Sequence, residues 1–162
     1  MIQEPNKIRK YTRIEDEWIT PPFIISALGN FDLDSCSPIK RPWDTASNHY
    51  TIEDNGLTMP WIGRVWCFPP FGNSTRPWIE KCAEHGNCVA LTFANTDTIW
   101  FNEIVWQKAK AILFLKGRIR FYDLKGQRAG NSSSPSVLIA FDERNAKSLE
   151  SSSLPGKLIW LN

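Results

Sequence analysis

Phe68-Pro69-Pro70-Phe71 begins on the last residue of the run GRVWCF at 63–68. Two consecutive prolines fix φ and remove two N–H donors, so the carbonyls at that point are rigidly held acceptors. The flanking rings offer either a self-packed turn or a face on which a planar ligand can stack. A second candidate pair is Asp32 and Asp34 in FDLDSC, 31–36. Carboxylates near the end of a strand can accept from an ammonium or a hydroxyl, or stay solvated as caps. A third group is cationic: Lys116, Arg118, Arg120, Lys125 and Arg128. In extended chain, 116, 118 and 120 share one face. Such a face meets solvent by default and phosphate where nucleic acid is the partner.

Other residue types point to no chemistry. Cys36, Cys67, Cys82 and Cys88 lack the C-x-x-C spacing of zinc or redox sites, and reduced, buried thiols are the expectation. His49 and His85 stand apart from any metal-like cluster, so no metal is expected. Cys67 as a nucleophile lacks a paired base nearby in sequence.

The candidate residues need a scaffold. Thr20-Pro21-Pro22 followed by FIISALG predicts a short helix over 21–28, capped by Thr20 and closed by Gly29. FDLDSC reads as a short strand, and 37–62 as a long irregular stretch of the kind that carries function or is poorly ordered. GRVWCF predicts a strand. A helix from Ser74 or Thr75 to about 85 buries Trp78, Ile79, Cys82 and Ala83, and Gly86 ends it. NCVALTF, 87–93, has the continuous apolar character of a parallel strand. Thr96-Asp97 opens a further helix with Ile99, Trp100 and Ile104 on its buried face. Residues 111–123 predict one long strand or two broken at Gly117, then a polar loop over 123–135 and a core strand over 136–141. The serine-rich 148–153 stretch reads as a linker, with KLIWL a possible edge strand.

This alternation predicts an α/β fold, a mostly parallel sheet with an antiparallel end, in which ligands gather at the carboxyl ends of strands. The chain divides into a loosely ordered 1–16, a domain over 17–145, and a tail over 146–162. Its 162 residues suit one core. The eight tryptophans exceed the usual number, and a minority are expected at a cleft. A net charge of +2 permits nucleic-acid contact without requiring it. No apolar run approaches the ~20 residues of a membrane span, and the first residues lack the apolar core of a signal peptide.

Taken in order, DEWITPP (16–22), FDLDSC (31–36), DNGLTMPWIGRVWCFPPFG (54–72), VALTFANTDTIWF (89–101), FLKGRIRF (114–121) and SPSVLIAF (134–141) resemble the phage-type DNA N6-adenine methyltransferase (Dam) family. The resemblance implies a compact Rossmann-like methyltransferase that uses S-adenosylmethionine on double-stranded DNA. It also implies a cytoplasmic setting as a phage or prophage protein, with a protein partner or homo-oligomer open. Thr20 and Pro21 match the segment expected around the methionine part of the cofactor. Asp34, with Asp32 as second choice, matches the acid expected to meet its amino group or ribose. The family's catalytic motif is Asn/Asp-Pro-Pro-Tyr/Phe. Its first side chain and a backbone carbonyl accept both hydrogens of an adenine amine extruded from the duplex. Pro69, Pro70 and Phe71 match that motif; Phe68 supplies a hydrocarbon ring where the family has an oxygen. Asn73 and Asn95 are nearby substitutes in the pattern. The implied readings are therefore an adenine methyltransferase with lowered activity, a relative that binds without catalysis, or a methyltransferase with another acceptor.

Overall fold

The structure is a computed structural model and describes residues 17–161. The expectation for 1–16 lies outside the described residues. Helix α1 (Pro22–Leu28) starts on proline, whose fixed φ suits a first turn, and ends at Gly29 with φ 85°. Its cap is Pro21, not Thr20, and no side chain caps it. Strands β1 (Leu33–Asp34) and β2 (Asn48–His49) are two residues each. β3 (Val65–Cys67) leads through a 3-10 turn, Gly72–Ser74, into α2 (Thr75–His85). β4 (Cys88–Phe93) is buried on both faces as its unbroken apolar run requires. A π-helical segment, Phe101–Val105, runs into α3 (Trp106–Lys108), then β5 (Ala111–Leu115) and β6 (Ser136–Ala140). Helix α4 (Glu143–Ser151) and β7 (Gly156–Trp160) follow.

One seven-stranded sheet has the order β2-β1-β3-β4-β6-β5-β7. β2, β1, β3 and β4 pair in parallel; β6 is antiparallel to β4 and β5, and β7 is antiparallel to β5. β5 therefore runs in the same direction as β4, and the carboxyl ends of β1, β3, β4 and β5 share one rim. Each face of the sheet has its own core. On one, Val65, Cys67, Ala90 and Ile139 pack with Trp78, Ile79 and Cys82 of α2 and with Phe101, Ile104 and Val105. On the other, Trp66, Val89, Leu91 and Leu138 pack with Ile24 and Leu28 of α1 and with Ala146 and Leu149 of α4. The fold is the expected α/β sheet of a Rossmann-like methyltransferase, parallel first and antiparallel at the end.

Three local expectations change, and one alternative is decided. Ile99 faces out, 67 % exposed, and Phe101 takes the buried place; the π-helical winding that begins at Phe101 shifts the face away from a 3.6-residue period. Ala83 is only partly buried beside the core. Of the two alternatives for 111–123 the break at Gly117 holds: β5 stops at Leu115, Gly117 turns the chain at φ 79°, and Tyr122 beyond it makes isolated bridges. The serine-rich stretch is the end of α4, capped by Asp142 accepting from Asn145 N, and not a linker.

The long 37–62 stretch is held by specific bonds. Lys81 Nζ donates to the carbonyls of Gly56, Leu57 and Met59, Trp61 Nε1 to Gly56 O, and the Tyr50 hydroxyl to Pro60 O. At Gly56 a Cβ would lie 2.1 Å from Ser35 O, so only glycine fits there. Among the described residues no helix is long and apolar enough to cross a membrane.

Candidate functional site

A narrow cleft opens where β1 and β3 end. Residues 18–20 form one wall, the 36–45 loop the other, and Phe68 lies between them. Two of the eight tryptophans, Trp18 and Trp43, line it. Trp43 Nε1 donates to Thr20 O at 3.2 Å, which joins the two walls.

Asp34 lies at the inner end of the cleft, 4 % exposed. Its Oδ1 accepts from Cys36 N at 3.1 Å, and its Oδ2 accepts a short bond from the Thr45 hydroxyl. Burial raises its carboxyl from the ordinary 3.8 to about 6, with Thr45, Cys36 and Arg41 pulling the other way. Thr45 N in turn donates to His49 Nε2 at 3.3 Å. That bond needs an unprotonated ring nitrogen, consistent with burial and Arg41 lowering the His49 pKa. Thr45 and His49 thus orient Asp34. Nothing in the sequence pointed to them, because they lie in irregular chain and meet Asp34 only through the fold.

The structure brings together Thr20, Asp34 and Phe68, but not Pro21 or Asp32. Pro21 is buried as the cap of α1, where its carbonyl accepts from Ile24 N. Asp32 precedes β1 at the far end of the strand, exposed, and its Oδ2 accepts from Arg64 N at 2.6 Å. It braces β1 against β3 and does not line the cleft.

The proline loop is closed by aromatic rings. Phe68 stacks on Phe121, centroids 5.0 Å apart and planes at 19°, and meets Phe71 edge-on at 5.5 Å. Phe71 stacks on Phe93 at 3.8 Å and 2°. The Thr75 hydroxyl donates to Pro70 O at 2.7 Å. No donor reaches Pro69 O among the described residues. Asn73 and Asn95 are both exposed. Cys67, behind the loop, is fully buried, and burial holds its thiol well above the usual range, against a nucleophilic role.

The basic residues sit on the same rim. After Gly117, residues 119–122 pair with 128–132 as a hairpin: Ala129 N donates to Phe121 O and Ser132 N to Ile119 O. Its other edge bridges Ile19 through Tyr122. Ile119 and Phe121 point inward, while Arg118 and Arg120 are exposed. Lys116, Arg118, Arg120 and Arg128 line a second depression; Lys125 lies outside it, on the hairpin's turn.

The donor set of the cleft suits S-adenosylmethionine, the cofactor implied by the sequence resemblance. A buried carboxylate accepts from an ammonium or ribose hydroxyls, Arg41 complements a carboxylate, and aromatic faces suit a sulfonium and a purine. The free volume between the walls is about 10 Å³. Small-molecule sites hold ~300–1,000 Å³, so the cleft between these walls is smaller than such a site. Among the described residues no cluster of three or more His, Cys, Asp or Glu side chains could hold a metal ion. No curated protein and no solved structure matches the chain significantly. The sequence pattern of one family, DNA N-6-adenine-methyltransferase (Dam), matches residues 7–155, nearly the whole of this fold, cleft and proline loop included. The chain belongs to the DNA N-6-adenine-methyltransferase family.

Proposed function

We propose that the protein binds S-adenosylmethionine in the cleft and methylates adenine N6 in DNA at a strongly reduced rate. Bound there, the cofactor would supply an electrophilic methyl group. Asp34, held by Thr45 and Cys36 N, accepts from its ammonium or ribose, and the Thr20 segment closes over its methionine part. Phe71 offers a ring to an extruded adenine, and Pro69 O accepts one hydrogen of the amine. The observation that carries the reduced rate is Phe68. Its side chain has no lone pair, so one amine hydrogen is left without an acceptor, and the nitrogen is not drawn toward the pyramidal form that attacks. Losing one preorganised hydrogen-bonding partner lowers rates by about 10²–10³ in comparable sites.

The test is radiolabelled methyl transfer to unmethylated DNA by the wild type and by Phe68→Asn. The substitution is expected to raise transfer about 10²–10³-fold. A wild type as active as the variant removes the proposal.

A second reading, binding without transfer, is favoured by the ring cluster. Phe71 already has one face on Phe93 and its neighbour Phe68 edge-on, so an incoming base must displace a ring. It predicts cofactor binding by calorimetry with no transfer from the wild type. A methyl acceptor other than adenine is read out by offering RNA and free nucleotides in the same assay.

A further inference from the structure

The basic hairpin encloses a concave site separate from the cofactor cleft. The depression has a volume of about 260 Å³, close to the lower end of the ~300–1,000 Å³ of sites that hold one small ligand. Its cationic side carries Lys116, Arg118, Arg120 and Arg128, and no carboxylate among the described residues lines it. Its apolar side includes Phe23, Leu154 and Pro155. Phe23 is 55 % exposed, an aromatic ring left in water beside three guanidinium groups. Arg120 is held in place by its Nε donating to Asn131 Oδ1 at 2.9 Å. The segment from 116 to 128 holds five cations and one acid, Asp123, in a chain whose net charge is only +2. Asp123 turns inward on its own loop, its Oδ1 accepting from Lys125 N and Gln127 N. The positive charge is therefore concentrated here.

We infer that this groove holds one unstacked nucleotide of single-stranded DNA, its base against Phe23 and its phosphates on Arg118, Arg120 and Arg128. The inference rests on the DNA-acting reading above and names where the strand beside the reacting base runs. Two features favour an unpaired strand over duplex. A duplex backbone is met by cations and polar N–H and O–H groups, whereas this site pairs cations with an exposed ring, the combination by which proteins hold single strands. The volume also suits a single residue, not a turn of double helix. The position fits as well. The groove and the proline loop occupy the same rim, and Phe121, on the inner face of the hairpin, stacks on Phe68. A strand opened to deliver a base to that loop has its next unpaired residue within reach of the hairpin.

Fluorescence anisotropy tests this with a labelled single-stranded oligonucleotide and the duplex of the same sequence, over a salt series. Wild type should bind the single strand more tightly. Phe23→Ala should weaken that binding about tenfold and leave the salt slope unchanged. Arg118→Gln/Arg120→Gln/Arg128→Gln, with its fold checked by circular dichroism, should flatten the slope by about 0.7 for each phosphate no longer neutralised. Equal affinity for the two forms, or full affinity in both variants, overturns the groove. Cofactor binding, followed by calorimetry in the same proteins, keeps the two proposals apart. If it is absent while the groove effects persist, the cofactor cleft falls and the groove stands. If it is intact while the groove variants bind DNA normally, only the groove falls.

Discussion

Asp34 links stability and function in opposite senses. Its folded-state pKa of about 6 lies above the ordinary 3.8, because burial opposes the charge. Between those values the folded chain holds a proton that the unfolded chain has released. Stability from this group is thus full below about pH 4 and is lost as pH rises through about 6. By then the buried carboxylate costs on the order of 3 kcal/mol, since each tenfold change in proton affinity corresponds to about 1.36 kcal/mol. Asp34→Asn keeps an acceptor for Thr45 and removes the charge. Its thermal midpoint should exceed the wild type's at pH 8, with the gain vanishing near pH 4. Cofactor affinity should run the other way. An ammonium prefers the ionised carboxylate, so calorimetric affinity should rise up to tenfold per pH unit toward 6 and then level off. Asp34→Asn should bind weakly with no such rise; a wild-type affinity flat from pH 5 to 8 would separate Asp34 from the cofactor. At this scale the sequence exposed what composition and order can carry. Asp34, Thr20 and the proline loop were recognisable from their motifs. Asp34 ranked above Asp32 only through the family resemblance, because by residue type the two are equivalent until the fold assigns one to each end of the strand. Thr45 and His49 were invisible for the same reason, since their roles exist only in three dimensions.

At the scale of elements, one buried arginine joins three of them. Arg64, 7 % exposed at the start of β3, donates from Nε to Asn145 Oδ1 at 2.7 Å and from Nη2 to Ser148 Oγ at 3.0 Å, both on α4. Its Nη1 reaches Leu28 O and Asn30 O, at the end of α1 and just beyond, at 2.9 and 3.0 Å. The guanidinium also lies 4.2 Å from the Phe31 ring centroid. Arg64→Met would bury the same stem and leave Asn145 Oδ1 and Asn30 O without their donor, while Leu28 O keeps the Ser148 hydroxyl. Bonds to a charged group contribute ~1.5–3 kcal/mol each, and buried orphaned acceptors cost comparable amounts. A loss of about 3–5 kcal/mol is expected, read as a lower urea midpoint at unchanged slope. Arg64→Lys should recover only part, because one ammonium cannot span α1 and α4 with a planar fork. A loss under ~1 kcal/mol for Arg64→Met would mean that packing alone holds these elements. Sequence periodicity found β1, β3, β4 and α2, where apolar runs and glycine stops agree, but not β2, a two-residue strand inside the stretch read as irregular. It missed α4, although Asp142 with Ala146 and Leu149 is a legible cap and stripe; the serines that follow obscured them. It also placed Ile99 inward, since a π-helical segment departs from the period on which such readings depend.

For the whole molecule, the question is where the folding unit ends. Serine-rich composition suggested that the domain closes near residue 145, and the packing argues otherwise. Ala146, Leu149 and Leu154 belong to the core on one face of the sheet, and Asn145 and Ser148 hold Arg64. Fully burying a leucine contributes ~1.5–3 kcal/mol. Two leucines and the arginine's partners together approach the ~5–15 kcal/mol that holds a whole domain. A chain ending at Phe141 should therefore lose its cooperative thermal transition and bind ANS, as an exposed core does. A chain ending at Pro155, where the family match also stops, keeps α4 and loses only β7. That strand's side chains are mostly exposed, but it covers the edge of β5 through five register pairs. The Pro155 chain should stay cooperative with a midpoint lowered by roughly 5–10 °C, at ~2–4 °C per kcal/mol for a protein of this size. It should also associate with itself, because β5 becomes an open edge. Should the chain ending at Phe141 instead melt cooperatively within a few degrees of the full protein, α4 and β7 would be an appendage, and the linker reading would be right after all.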